Sequence, residues 1–250
     1  MEHENLLQMI AVEVFLRYNI QDKIYCGGKE SMTIKGAIFD LDGTLINSLF
    51  FWNRFWEKLG EKYLSDRAFL PELDMQKAVR TVTFVEASEM IYAKYGFGTP
   101  EEIYNLMHDF CVEIYRQEAT FKSGVKEFLD HLKSRGIKMC VASASMPDLL
   151  REIFDRFGLD DYIPKIISCA EVGKGKSHPD VFIAAQEYLG TSREETWVFE
   201  DSAVALGTAF RAGFPTVGVF DQYNFGVSVE EVSTEYIGEG DSFLRLIEKI

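Results

Sequence analysis

Two aspartates one residue apart, Asp40 and Asp42, stand where a short apolar run breaks into a turn. The run, IKGAIF over residues 34–39, has no helical spacing and suits a buried strand of a parallel sheet. In open α/β sheets the ligand crevice lies beyond the carboxyl ends of the strands. The stretch Asp40-Leu41-Asp42-Gly43-Thr44 therefore aims two carboxylates at a binding site. Such a pair can hold a hard cation through oxygen. It can also supply a nucleophile and, from the second carboxyl, a general acid/base. A plain turn is the competing reading, because Asp and Gly are ordinary turn residues.

Three more polar groups fall after expected strands: Ser143-Ala144-Ser145, Glu200-Asp201-Ser202, and a loop with Lys174 and Lys176. Each alone has a bland reading. Serines cap helices, acids favour helix starts, and loop lysines are usually solvated. Together, at one end of one sheet, they make a set complete for phosphoryl transfer, which needs a nucleophile, a metal, donors to the spare oxygens and an acid. Asp40 would attack phosphorus and become an aspartyl phosphate. Asp42 would protonate the leaving oxygen and then activate water. Asp201, with Asp40 and the backbone carbonyl of Asp42, would hold Mg²⁺, which takes few carboxylates and keeps waters and phosphate oxygens. Ser143 and Lys176 would bind the non-transferring oxygens, a role that suits a lysine point charge.

The elements around these residues follow from periodicity. Residues 49–63 carry Phe50, Phe51, Trp52, Phe55, Trp56 and Leu59 over several helix faces, so this helix is buried between partners or lines a cavity. Core packing is the ordinary reading of such a stripe. Segments 72–80, 84–95 and 100–118 also read as helices, the last opened by Thr99 as N-cap and Pro100 in its first turn. Nothing β-rich interrupts 49–118, which reads as an all-helical insertion. Strand and helix then alternate. Strands are expected at 137–142, 165–168, 196–199 and 216–219. Helices are expected at 123–135, 146–157, 179–189 and 202–212, stopped by Gly136, Gly158, Gly190 and Gly213, and a closing helix at 241–249. That order predicts an α/β fold, a doubly wound parallel sheet. Residues 1–31 carry a helix-like stripe of Leu6, Leu7, Ile10, Val14, Phe15 and Tyr18 and read as a helical N-terminal extension. The expected division is 1–31 extension, 32–48 with 119–250 core, and 49–118 insertion.

Composition narrows the partners. A chain of 250 residues can bury a full core, and its net charge of −14 argues against a nucleic-acid binder. A phosphorylated substrate would need local positive charge from a metal or a few lysines. Cys26, Cys111, Cys140 and Cys169 lie far apart and read as reduced thiols of a cytoplasmic protein. No apolar run reaches transmembrane length, so no membrane partner is expected. The opening Met1-Glu2-His3-Glu4 is acidic where a secretory signal would be basic.

The order of motifs over residues 33–220 resembles the haloacid dehalogenase (HAD) superfamily. DLDGT matches its first motif, VASAS its second, the lysine of KSHPD its third and FEDS its fourth. The insertion after the first motif looks like the family's four-helix cap on a HAD-like, Rossmannoid core. The resemblance implies Asp40 as nucleophile, Asp42 as acid/base, Ser143 and Lys176 as phosphate binders, Asp201 as metal ligand, and Glu200 as a further ligand or a partner behind it. It implies a Mg²⁺-dependent phosphatase of a small phosphorylated metabolite. Three positions depart from the pattern: Asn47 for Asp, Ser177 for Pro and Ala205 for Gly. A β-phosphoglucomutase-like mutase is the alternative. Related mutases tend to carry Gly-x-Ser-Arg in the cap, where Thr81-Val82-Thr83-Phe84 stands, and often lack a threonine at the place of Thr44. A non-catalytic phospho-acceptor domain would need neither Asp42 nor a helical cap. Dehalogenation needs no metal and fits the acidic fourth motif less well.

Overall fold

A computed structural model of the chain describes residues 32–80, 82–224 and 228–250. The expected helix within 1–31 lies outside the described residues, as does Cys26. Six parallel strands form the main sheet: β1 (Gly36–Phe39), β4 (Lys138–Ser143), β5 (Ile166–Ser168), β6 (Thr196–Glu200), β7 (Thr216–Val219) and β8 (Glu235–Ile237). Their order is β5-β4-β1-β6-β7-β8. The chain steps outward from β1 on one side and then crosses to the other. The reversal places a crevice beyond the carboxyl end of β1. Register is continuous through the centre, Phe39 lying between Val141 and Phe199.

Alternation along these strands builds two buried layers. Ala37, Phe39, Met139, Val141, Trp197 and Phe199 face one way. They pack on α5 (Val125–Ser134), α6 (Pro147–Phe157) and α10 (Leu244–Ile247), through residues such as Phe128, Phe154 and Leu246. Ile38, Cys140 and Val198 face the other way, onto α8 (Asp180–Leu189) and α9 (Ala203–Arg211). The doubly wound α/β sheet is thus present. Ala205, in place of the family glycine, is 1% exposed in that second layer. Within this core, three features differ from the sequence reading. A short helix, α7 (Cys169–Val172), opens the lysine loop, capped by Ser168. β8 is a strand without an expected signal. The closing helix is one turn, Leu244–Ile247, not 241–249.

Between β1 and α5 the chain makes β2 (Ile46–Asn47), then α1 (Phe51–Leu64), α2 (Leu73–Val79), α3 (Phe84–Tyr95) and α4 (Pro100–Gln117), and returns through β3 (Thr120–Phe121). β2 and β3 pair antiparallel, Ile46 with Phe121 and Asn47 with Thr120. Both crossings into the helical insertion are thereby tied together, a device too short to show in a periodicity. Thr83 and Thr99 each make a capping box, with Glu86 and Glu102. Phe55 and Trp56 are fully buried, and Phe51 stacks at 5.7 Å on Phe55 and 5.9 Å on Phe84. The aromatic stripe of α1 is core.

Candidate active site

The first motif curls tightly after β1. The carbonyl of Leu41 accepts from the amides of Thr44, Leu45 and Ile46. Gly43 sits at φ +88°, and a Cβ there would overlap the carboxylate of Asp201 and lie 2.7 Å from Leu49 Cδ1. Glycine is needed here for the left-handed backbone and for the close approach of Asp201. Asp201 begins the turn between β6 and α9. Its Oδ1 accepts from Thr44 Oγ1 at 3.0 Å and its Oδ2 from Asn224 Nδ2 at 2.5 Å.

Lys176 reaches the same point. Its Nζ donates to Asp40 Oδ1 and, at 2.7 Å, to Glu200 Oε2. Asp40, Glu200 and Asp201 are all buried, with ligand atoms within 4.8 Å of one another. Burial raises Asp40 to about 7, against the pull of the Lys176 ammonium, with Glu200 and Asp42 adding to the rise. Burial also raises Asp201 well above the carboxylate range, with Glu200 and Asp40 contributing. Burial alone would lower Lys176, but Asp40 and Glu200 outweigh it and keep the ammonium charged. Three buried carboxylates thus face one ammonium, a charge deficit that suits a divalent cation. Glu200 Oε1 also accepts from the amides of Asp201 and Ser202, at 3.2 and 3.0 Å. This carboxylate therefore ties Lys176 to the turn that carries Asp201.

Asp42 is surrounded by hydroxyls. Its Oδ1 accepts from Ser48 Oγ at 2.6 Å and Tyr115 Oη at 2.7 Å. Its Oδ2 accepts from Ser145 Oγ at 2.9 Å. Ser143 is buried at the end of β4 and its Oγ accepts from the amide of Ser145 at 3.0 Å, which shapes the loop beside Asp42. Lys174 pairs with Asp180 at 2.8 Å, leaving Lys176 as the lysine at the carboxylates.

Of the arginines in the helical insertion, Arg54 pairs with Glu118 and Arg67 with Glu61. Arg80 instead donates to the carbonyl of Tyr223, next to Asn224 on the loop that holds Asp201. Of the insertion's aromatics, Trp52, Phe55 and Trp56 are buried and Tyr92 is exposed. Tyr95 binds Glu72. Sequence reasoning missed Thr44, Asn224 and Tyr115 as contacts of the site. Thr44 lies within the motif and was the findable one; Tyr115 and Asn224 have no local signature.

A family model described as haloacid dehalogenase-like hydrolase matches residues 34–213. A phosphorylated carbohydrates phosphatase of Thermotoga maritima is 23% identical over 224 residues, 87% of this chain and all of that protein. A beta-phosphoglucomutase of Bacillus subtilis is 28% identical over 200 residues, 74% of this chain and 83% of that one. Among solved structures, CbbY from Rhodobacter sphaeroides in complex with phosphate superposes with a TM-score of 0.68 at 18% identity, covering 81% of this chain and 93% of that one. At that identity the likeness concerns the fold.

Proposed function

Because the chain belongs to the haloacid dehalogenase-like hydrolases, we propose that it is a Mg²⁺-dependent phosphatase of a small phosphorylated carbohydrate. The observation that carries this reading is Lys176 bridging Asp40 and Glu200 in a buried acidic cluster, with Asp42 two positions after Asp40. Membership of a hydrolase family and the retained Asp42 both support an enzyme over a non-catalytic phospho-acceptor.

In this mechanism an Asp40 carboxylate oxygen bonds to phosphorus. The bond to the leaving oxygen breaks, and that oxygen takes a proton from Asp42, releasing the alcohol. A water then gives its proton to Asp42 and attacks phosphorus, which frees phosphate and restores Asp40. Lys176 and Ser143 hold the non-transferring oxygens. Asp40, Asp201 and the carbonyl of Asp42 are the Mg²⁺ ligands in this reading, with Glu200 a further ligand or the anchor of Lys176. When bound, the ion offsets phosphate charge that a chain of net −14 would otherwise repel. Residues 49–118 act as a cap over the cleft and select the leaving group; the core comprises 32–48 and 119–250.

A β-phosphoglucomutase-like reaction is the second reading, motivated by the Bacillus subtilis relative. Thr44, already engaged with Asp201, favours the phosphatase. The test is phosphate release from a panel of sugar, hexitol and nucleotide monophosphates with and without Mg²⁺, beside Asp40→Asn. Release that needs both Mg²⁺ and Asp40 supports the phosphatase. Conversion of β-glucose 1-phosphate to glucose 6-phosphate with little free phosphate supports the mutase. Neither activity, with Mg²⁺ still bound, overturns both.

A further inference from the structure

An ionised carboxylate offers about four lone-pair positions, two on each oxygen. On Asp42 three are taken. Tyr115 and Ser48 donate to Oδ1 at 2.7 and 2.6 Å, and Ser145 donates to Oδ2 at 2.9 Å. Only Oδ2 keeps a lone pair not engaged by these hydroxyls. The donors come from three places in the chain: the segment after β2, the last turn of α4, and the loop after β4. Tyr115 is the far-reaching one. It is 4% exposed, and its own carbonyl accepts from Arg156 Nη1 at 2.6 Å, so α6 anchors the helix end that presents the hydroxyl.

We propose that Tyr115 is a positioning residue for the reaction: by filling Oδ1 together with Ser48, it turns the carboxylate so that Oδ2 is the oxygen facing the leaving group. This rests on the phosphatase reading above. The consequence is specific to the step in which Asp42 acts as acid. A leaving group that departs as a stable anion needs little help from that proton, whereas an alcohol needs it fully. Loss of the Tyr115 hydroxyl therefore slows transfer from an alkyl phosphate and spares transfer from an aryl phosphate. A merely structural tyrosine would affect both alike.

The experiment is a rapid-quench measurement of the first turnover by the full chain with Mg²⁺, comparing wild type with Tyr115→Phe. The probes are p-nitrophenyl phosphate and a hexitol 6-phosphate. Loss of one of three donors should slow alcohol release by about 10-fold, against the roughly 10²–10⁴-fold that general acid catalysis contributes. Release of p-nitrophenol should change by less than about two-fold, and KM for the hexitol phosphate should stay within about two-fold, since Tyr115 acts through Asp42. Ser48→Ala, which removes the other donor to Oδ1, should show the same asymmetry and reads the proposal even where the phenylalanine variant folds poorly. Equal loss on both substrates, or none on either, overturns the role of Tyr115 while the phosphatase stands. A wild type that releases neither product, and no phosphate from any member of the panel above, overturns the phosphatase reading, and this proposal with it.

Discussion

Lys176 and Gly43 hold the site by different means, and each makes a separate prediction. Lys176 neutralises two buried carboxylates, Asp40 and Glu200, its side chain only 12% exposed. Replacing it by Met leaves them facing each other without a cation. Breaking a buried pair in this way costs about 3–5 kcal/mol. Urea denaturation at pH 8 without metal should show a loss of that size, and added Mg²⁺ should recover part of it. Gly43→Ala acts on geometry instead. Its positive φ strains a non-glycine residue by about 1–3 kcal/mol, and the new Cβ displaces the carboxylate of Asp201. Phosphatase turnover should fall by at least about 100-fold, as expected when a charge-stabilising group is removed, while Mg²⁺ titration by calorimetry should show weakened binding. Unchanged metal affinity in this variant would contradict Asp201 as a ligand.

At the scale of elements, the seam between α4 and α6 joins the helical insertion to the core. Arg116 grips Glu152 bidentately at 2.5 and 2.6 Å, Tyr104 donates to Met146 Sδ at 3.4 Å, and His108 meets Asp148 at 2.8 Å. The hydrogen bond to Asp148 raises the His108 pKa against partial burial, and Asp109 adds to the rise. A histidine raised in the fold above its ordinary 6.5 stabilises fully below that value. The contribution fades as pH climbs through the raised value. Partly exposed pairs are worth within about 1 kcal/mol. His108→Gln should therefore lower the urea midpoint slightly at pH 5.5 and leave it unchanged at pH 9. Equal effects at both pH values would mean that packing, not charge, joins the seam at this point.

For the whole molecule, a metal held by the acidic cluster as proposed would link binding to stability. The folded value of about 7 for Asp40 lies above its ordinary 3.8, so as pH rises the unfolded chain releases this proton first. The metal-free fold accordingly loses stability between those two values and keeps the deficit above them. A divalent ion held there, as proposed, would bind the ionised carboxylates and remove the deficit, whereas at low pH it would have to displace protons. The increase in Tm on adding Mg²⁺ should thus be larger at pH 8 than at pH 5.5, and chelation should reverse it. A larger increase at pH 5.5 would place the ion elsewhere.

Legible in local order alone were the α/β alternation, the all-helical run after β1, and the polar residues at strand ends. Strand, turn and acid lie within a dozen residues of one another there, and parallel sheets place ligands beyond the carboxyl ends of their strands. Of the residues in question, Asp40, Lys176, Glu200 and Asp201 meet at those ends, while Asp42 and Ser143 both contact Ser145 beside them. Motif order already points to Lys176 over Lys174 in the one loop that holds both, and the three-dimensional arrangement puts Lys176 at Asp40 and Glu200 while Lys174 pairs with Asp180. That arrangement alone paired β2 with β3 and added β8 at the sheet edge, elements of two or three residues whose pairing partners lie elsewhere in the chain. It alone brought Tyr115 to Asp42 across 73 positions and Ser145 across 103. Hydrogen bonds over such separations follow from how helices and strands pack, and packing leaves no mark in the periodicity of either segment.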